Sequence, residues 1–242
     1  MRTPLLGLLL LCLASGCGYH HYAGPLEPTG EQETALTVAD DGSVTYARGL
    51  LDVVLRPMSD EELNRLFAEH SRGGVKATNP YTFGDTDFLI GKKDRQRFTV
   101  FSLAVRNYEY PKVIIEPEQV QMIAGNGRHY WSLNFSQLEN YYRIYALGYR
   151  GNAYERNNER SSVMLRTLAK PEPVFNGQET EGFIVFPALH PDVTEVEVVI
   201  NEAMLRFDYR DEPVEMVDIT YRFRRDVGRR YHDGSIELTA RD

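Results

Sequence analysis

Polar and apolar positions alternate most regularly near the end of the chain. Val217, Ile219, Tyr221 and Phe223 take turns with Asp218, Thr220, Arg222 and Arg224, and Val196, Val198 and Ile200 take turns with Glu195 and Glu197. A period of two sends alternate side chains to opposite faces, so both stretches read as strands with one buried and one wet face. Residues 98–105 are almost all apolar or small, the pattern of a central strand. Shorter strands are expected at 35–38, 44–46, 50–55, 113–115, 120–123, 130–133 and 183–186, with a further segment around Met204, Leu205 and Phe207. Asp40-Asp41-Gly42 and Gly125-Asn126-Gly127 supply turns, glycine giving the positive φ of a tight hairpin.

Two regions break this pattern. Ser59-Asp60-Glu61-Glu62 is a capping box, with Ser59 as N-cap and Glu62 three residues on. It opens a short helix with Leu63, Leu66 and Phe67 on one face, expected to end near Gly73-Gly74. Residues 75–97 have no clear period and read as loop. Leu138, Tyr142, Tyr145 and Tyr149 recur at helical spacing. After a polar break at 156–160, Val163, Met164, Leu165 and Leu168 make a second helix that Pro171 and Pro173 terminate.

Many short strands without βαβ alternation point to an antiparallel sandwich. The stretches FTVFSLAVRNYEYPKVIIEPEQVQMI and GFIVFPALHPDVTEVEVVI carry a strand ending in Asn107, a turn, a strand running to Glu116-Pro117, and a later Gly182-x-x-x-Phe186-Pro187. These marks resemble the immunoglobulin-like (telokin-like) sandwiches of many bacterial envelope lipoproteins, over roughly residues 98–224. The resemblance implies a fold and an export setting and brings no catalytic residues. The expected architecture is therefore mainly β: an antiparallel immunoglobulin-like β-sandwich over residues 34–224, with a short N-terminal helix and a helical insertion at 136–168.

The N-terminus changes the setting. Arg2 precedes an apolar run of seven leucines interrupted by Gly7 and Cys12, and Ala14, Ser15, Gly16 and Cys17 follow. The run is too short to span a bilayer, and its small-residue end reads as a cleavage site, making residues 1–16 a signal peptide. Leu13-Ala14-Ser15-Gly16-Cys17 resembles a bacterial lipobox, which implies cleavage before Cys17 and a diacylglycerol on its thiol. The third position before the cysteine is Ala14 where leucine is commonest, and Ala14-x-Gly16 also suits ordinary signal cleavage. Only Cys12 and Cys17 are present, so the mature chain cannot form an internal disulfide. Gly18 is not the aspartate that resembles an inner-membrane retention signal, so outer-membrane delivery is favoured where two membranes exist. Residues 17–33, with three glycines and two prolines, read as the lipidated cysteine and a flexible tether, reaching on the order of 50 Å at about 3.3 Å per residue. Residues 225–242 read as a polar, frayed tail.

Net charge is −8, and loss of residues 1–16 removes Arg2 and no acid. Such a chain is a poor nucleic-acid binder, and it lacks a broad polybasic membrane patch. The signatures Gly-x-Ser-x-Gly, His-Glu-x-x-His, Walker A and Gly-x-Gly-x-x-Gly are missing. His20-His21 and Asp85-Thr86-Asp87 are better read as tether and loop than as metal ligands, so no metal or cofactor is assigned. The local run Arg222, Arg224, Arg225, Arg229 and Arg230 reads as cross-strand pairing with nearby acids.

The richest candidate surface is 130–154, where Tyr130, Trp131, Phe135, Tyr141, Tyr142, Tyr145, Tyr149 and Tyr154 surround Arg143 and Arg150. Tyr, Trp and Arg are enriched at binding hot spots. The stripe Leu138, Tyr142, Tyr145 and Tyr149 is expected to face the sandwich, leaving Tyr141, Arg143 and Arg150 for a partner. The leading expectation is a non-catalytic envelope lipoprotein, membrane-anchored through Cys17, that binds or positions another envelope component, protein before glycan. The alternative is an envelope hydrolase with a dispersed site. Cys17→Ser should abolish lipid labelling in cells and move the protein out of the membrane fraction. Unchanged membrane retention of the serine variant would refute the anchor.

Overall fold

The computed structural model describes residues 19–70, 79–81, 98–148 and 152–239, with 142–148 and 152–157 described by their backbone alone. The described residues are mainly β, in antiparallel sheets that do not close into a barrel, so the core is built by sheets. In chain order the strands are β1 (Tyr19–Ala23), β2 (Glu27–Pro28), β3 (Leu36–Val38), β4 (Val44–Arg48), β5 (Leu51–Met58), β6 (Thr99–Asn107), β7 (Lys112–Val113) and β8 (Val120–Ala124). They continue as β9 (His129–Trp131), β10 (Val174–Phe175), β11 (Gln178–Phe186), β12 (Glu195–Phe207), β13 (Pro213–Arg224), β14 (Val227–Tyr231) and β15 (Ile236–Leu238). One five-stranded sheet has the order β11-β6-β5-β4-β3 and another the order β2-β13-β12-β8-β9. The strands β10-β7 and β1-β14-β15 make two smaller sheets.

The two large sheets share one core. Phe101, Leu103 and Val105 are buried in it together with Val198, Ile219 and Tyr221, which the alternation marks as inward. Phe101 of the first sheet meets Phe223 of the second at 5.1 Å between ring centroids. The buried Tyr221 hydroxyl donates to the Val53 carbonyl at 2.8 Å, a polar tie from one sheet to the other. Burial also pushes this phenol's pKa well above its ordinary value, so it stays a neutral donor.

β6 and β11 are covered on both faces, which explains why residues 98–105 and 183–186 are apolar without alternation. Phe101, Leu103, Ile184 and Phe186 enter the main core. Phe98, Val100, Phe183 and Val185 join a second cluster with Leu63, Tyr81, Leu138 and Met164. That cluster is roofed by three helices: α1 (Asp60–Leu66), α2 (Phe135–Gly148) and α3 (Asn152–Thr167). α1 starts where Ser59 accepts from the Glu62 N–H and Glu62 accepts from the Ser59 N–H. It is only seven residues long and passes through Phe67 into a 3₁₀ turn at Ala68–His70. α3 closes tightly on β11: a Cβ on Gly182 would sit 2.5 Å from the Ala169 Cα just after that helix.

Both chain ends differ from their expected state. Residues 19–23, read as tether, form β1 and pair with β14, with Tyr19 opposite Tyr231 and Ala23 opposite Val227. Residues 27–28 pair with Arg224 and Phe223 as β2. The tail, read as frayed, supplies β14 and β15. Glycine and proline content suggested freedom, but each end is ordered by a partner about two hundred residues away, which local composition does not reveal. Phe101→Ala should cost about 3–5 kcal/mol in denaturant unfolding, and a loss below about 1 kcal/mol would refute a core shared through this ring.

Candidate partner-binding surface

Of the expected binding residues, Tyr141 lies on α2 and is 39 % exposed, with its ring edge-on to Phe98 at 5.4 Å. It is thus tied to the second core cluster as well as to solvent. Arg143 lies on the backbone of α2 with its side chain outside the described residues, and Arg150 lies outside them altogether. Leu138 of the expected inward stripe is fully buried. The side chains of Tyr142 and Tyr145, and all of Tyr149, fall outside the description, as do Cys17 and Asp85-Thr86-Asp87.

A different surface emerges from strand register. Leu51 and Gln178 both stand opposite Asn107, so the β4–β5 turn, the loop after β6 and the β10–β11 turn meet at one end of the first sheet. Arg48 reaches Glu215 at 2.5 Å, which sets the β12–β13 hairpin at the same end. Asn107 organises this end. Its side chain is fully buried; Nδ2 donates to the Tyr110 and Val174 carbonyls, both at 2.8 Å. Oδ1 accepts from the Tyr110 N–H at 2.9 Å and the Glu109 N–H at 3.3 Å. One amide therefore fastens β6, the following loop and β10, and the Asn107 carbonyl accepts from Gly177 of the next turn at 2.7 Å.

The loops held this way are tight. Gly49 has φ +62°, and a Cβ there would fall 2.7 Å from the Glu109 carboxylate that caps the Leu50 N–H. Asp208 accepts from the Arg210 and Glu212 N–H groups at 2.8 and 2.9 Å, shaping the hairpin tip with Asp211 at φ +68°. Lys112 anchors that tip, pairing with Asp211 while its Nζ lies 4.0 Å from the centre of the Phe207 ring. The consequence is a set of large apolar side chains turned outward on these loops and the strand ends beside them: Leu50, Tyr108, Phe175, Tyr209, Val214 and Met216, with Tyr209 87 % exposed. Paired charges rim them: Arg206–Glu215 at 3.1 Å, Arg48–Glu215, and Glu179 beside the Tyr108 hydroxyl at 2.9 Å. The hydrogen bond to Glu179 and its charge push the Tyr108 pKa above the ordinary value.

The edge of β13 adjoins this tip. Arg222 turns its carbonyl and N–H away from β12, toward Thr29 and Gln32. By the two-residue period of an antiparallel ladder Thr220 directs its groups the same way, and from Ile219 toward the tip the ladder with β12 shifts register. Among the described residues no second strand pairs with that stretch, since β2 reaches only Phe223 and Arg224. An apolar tip beside an open strand edge can hold a protein segment by side-chain burial and backbone hydrogen bonds.

Acid–base groups are less organised. Asp192 joins His190 and Arg128, each at 2.6 Å, on an open surface. Partial desolvation raises its pKa, but the bonds from His190 and Arg128 outweigh that and hold it below the usual carboxylate range. Among the described residues no group of three or more His, Cys, Asp and Glu is placed to hold a metal ion, and no helix is long and apolar enough to cross a membrane. A cleft between β11 and 169–174, lined by Leu103, Val105 and Thr180, has about 20 Å³, room for about one water.

None of the tip residues was singled out in the sequence, because they lie in separate loops and strand ends that join only through strand register. The one local clue was Asn107, which marks the end of its strand. Asn107→Ala should cost about 2–4 kcal/mol in denaturant unfolding, because it strands buried backbone donors and acceptors. A loss under about 0.5 kcal/mol, as at an ordinary surface site, would show that the tip does not depend on this amide. Compared with protein-family models, with curated proteins and with solved structures, the chain finds no match in any of the three.

Proposed function

We propose that this protein is an exported lipoprotein, cut before Cys17 and lipidated there, whose immunoglobulin-like sandwich binds another envelope protein without catalysing a reaction. The anchor half rests on Arg2, the leucine run and Leu13-Ala14-Ser15-Gly16-Cys17. Two antiparallel sheets over one core, joined across by the Tyr221 hydroxyl, support the immunoglobulin-like reading. The observation that carries the binding half is the outward set of aromatic and aliphatic side chains held on Asn107-fastened loops. Rigid loops at one end of a sandwich present such groups at little entropic cost, and aromatic residues with a polar rim are what interfaces use. The open edge of β13 favours a polypeptide over a glycan, since only a peptide can extend a strand ladder.

The geometry also gives the molecule a direction. β13 starts at the tip and ends beside β2, close to the strand that follows Cys17. Its 12 residues span roughly 40 Å. In this reading the tip lies at the far end from the lipid.

Tyr209→Asp combined with Phe175→Asp should change unfolding stability by less than about 0.5 kcal/mol, both being exposed. The pair should remove the partner crosslinked to the native protein in intact cells. Persistence of that crosslink would refute the tip as the binding site. If Tyr141→Ala removes it instead, the helical surface takes the tip's place.

A further inference from the structure

The arginines at the end of the chain divide into two groups. Arg222 pairs with its cross-strand neighbour Glu197 at 2.9 Å, and the part-buried Arg225 donates to the Val193 and His190 carbonyls. Arg229 and Arg230 make no ion pair among the described residues. They lie instead over aromatic rings of β1: Arg229 4.7 Å from the Tyr19 ring centre and Arg230 5.2 Å from that of Tyr22.

Register assigns the faces of this small sheet. His20 stands opposite Arg230, and Tyr22 opposite Gly228; across β14, Arg230 faces Ile236 and Gly228 faces Leu238. Directly opposed residues share a face, so His20, Tyr22, Arg230, Ile236 and Leu238 form one surface. Ile236 and Leu238 are 43 % and 50 % exposed. The His232 ring meets His20 edge-on at 5.6 Å and extends the same side. Among the described residues the three strands bring no carboxylate to this surface, although the chain as a whole has net charge −8; Asp226, opposite Gly24, lies at its edge. The other face holds Glu237, hydrogen-bonded by the Tyr231 hydroxyl.

Position explains what such a surface is for. Only Gly18 separates Cys17 from Tyr19, the first residue of β1. Two residues reach at most about 7 Å, so lipid on Cys17 leaves this sheet at the headgroups with no room to stand clear. A net-acidic protein is repelled by an anionic bilayer in most orientations. A face whose strands bring Arg230, without an ion pair among the described residues, a tyrosine and two exposed aliphatics, with one carboxylate at its edge, is the orientation least repelled. Tyrosine and arginine also suit the zone between headgroup and chain. We propose that the β1–β14–β15 sheet is a membrane-contact surface for anionic phospholipid, with Arg230 on headgroup phosphates and Tyr22, Ile236 and Leu238 at the interface. The inference rests on the reading that Cys17 carries lipid.

The test separates the two. Cys17 is the sole cysteine of residues 17–242, which include every described element, so this mature chain can be coupled through Cys17 to a maleimide-bearing lipid whatever the cell does. It is placed on vesicles of phosphatidylcholine alone or of phosphatidylcholine and phosphatidylglycerol in equal parts. Amide hydrogen exchange is then followed in 19–23, 227–231 and 236–238. Exchange should slow about fivefold or more on the anionic vesicles relative to the neutral ones, the gain of one arginine at a charged surface, and the slowing should fade in high salt. Arg230→Glu with Leu238→Asp, both exposed, should remove the difference while the solution thermal midpoint stays that of the parent. Equal exchange of the parent on both vesicle types overturns the proposal, as does slowing that survives in a folded variant. If the variant does not fold, the parent's comparison between vesicles decides. Natural lipidation is judged separately, by lipid labelling of the native and Cys17→Ser chains in cells.

Discussion

One buried carboxamide sets the geometry of the tip. Asn107 has two donors and two acceptor sites, and all four are used inside the protein, on the Tyr110 and Val174 carbonyls and the Glu109 and Tyr110 N–H groups. A buried amide with full partners neither seeks water nor tolerates displacement of the loops that satisfy it. Its position is itself fixed, because β6 lies between β5 and β11 and both neighbours register on Asn107. The sheet holds the amide and the amide holds the loops. Tyr108, next to this amide, and Phe175, next to its Val174 partner, are both exposed.

The parts of the fold legible in the sequence are those whose pattern is local. Val196, Val198, Ile200, Ile219, Tyr221 and Phe223 announce their buried face by alternation and are buried there. Gly42 and Gly127 announce turns and adopt positive φ at them. Continuous apolar runs were ambiguous about what covered each face. The answer lay in the helices, whose Leu138 and Met164 cover Val100, Phe183 and Val185 from the side opposite the main core. Least legible were β1 and β14. Tyr19–Ala23 has no strong strand pattern and acquires one only from Val227–Tyr231, a pairing that closes nearly the whole chain.

The two candidate surfaces were unequally legible for the same reason. A signal peptide and lipobox are read by other proteins as a linear segment, so the proposed anchor would be complete in Leu13-Ala14-Ser15-Gly16-Cys17. The tip is assembled from Leu50, Tyr108, Phe175 and Tyr209, no two from the same loop, and no window of sequence contains it. The tyrosines of the aromatic-rich stretch at 130–154, by contrast, are neighbours in sequence, and Trp131 there is exposed. There Tyr141 divides its ring between Phe98 and solvent.

The pairing of residues 19–23 constrains the proposed function more than a tether would. A flexible linker lets a domain sample many distances and orientations. With β1 stitched to β14 directly after Gly18, a lipid on Cys17 restricts the domain to rocking about one end. The long strand β13 then acts as a spacer between bilayer and tip, and its length, rather than a linker's entropy, sets the height at which Tyr209 is presented. A rigid spacer raises the effective concentration of the tip at one height and lowers it elsewhere. Such an arrangement suits a partner that is itself fixed in the envelope at that distance, and it disfavours one that must be reached by diffusion through a wide volume.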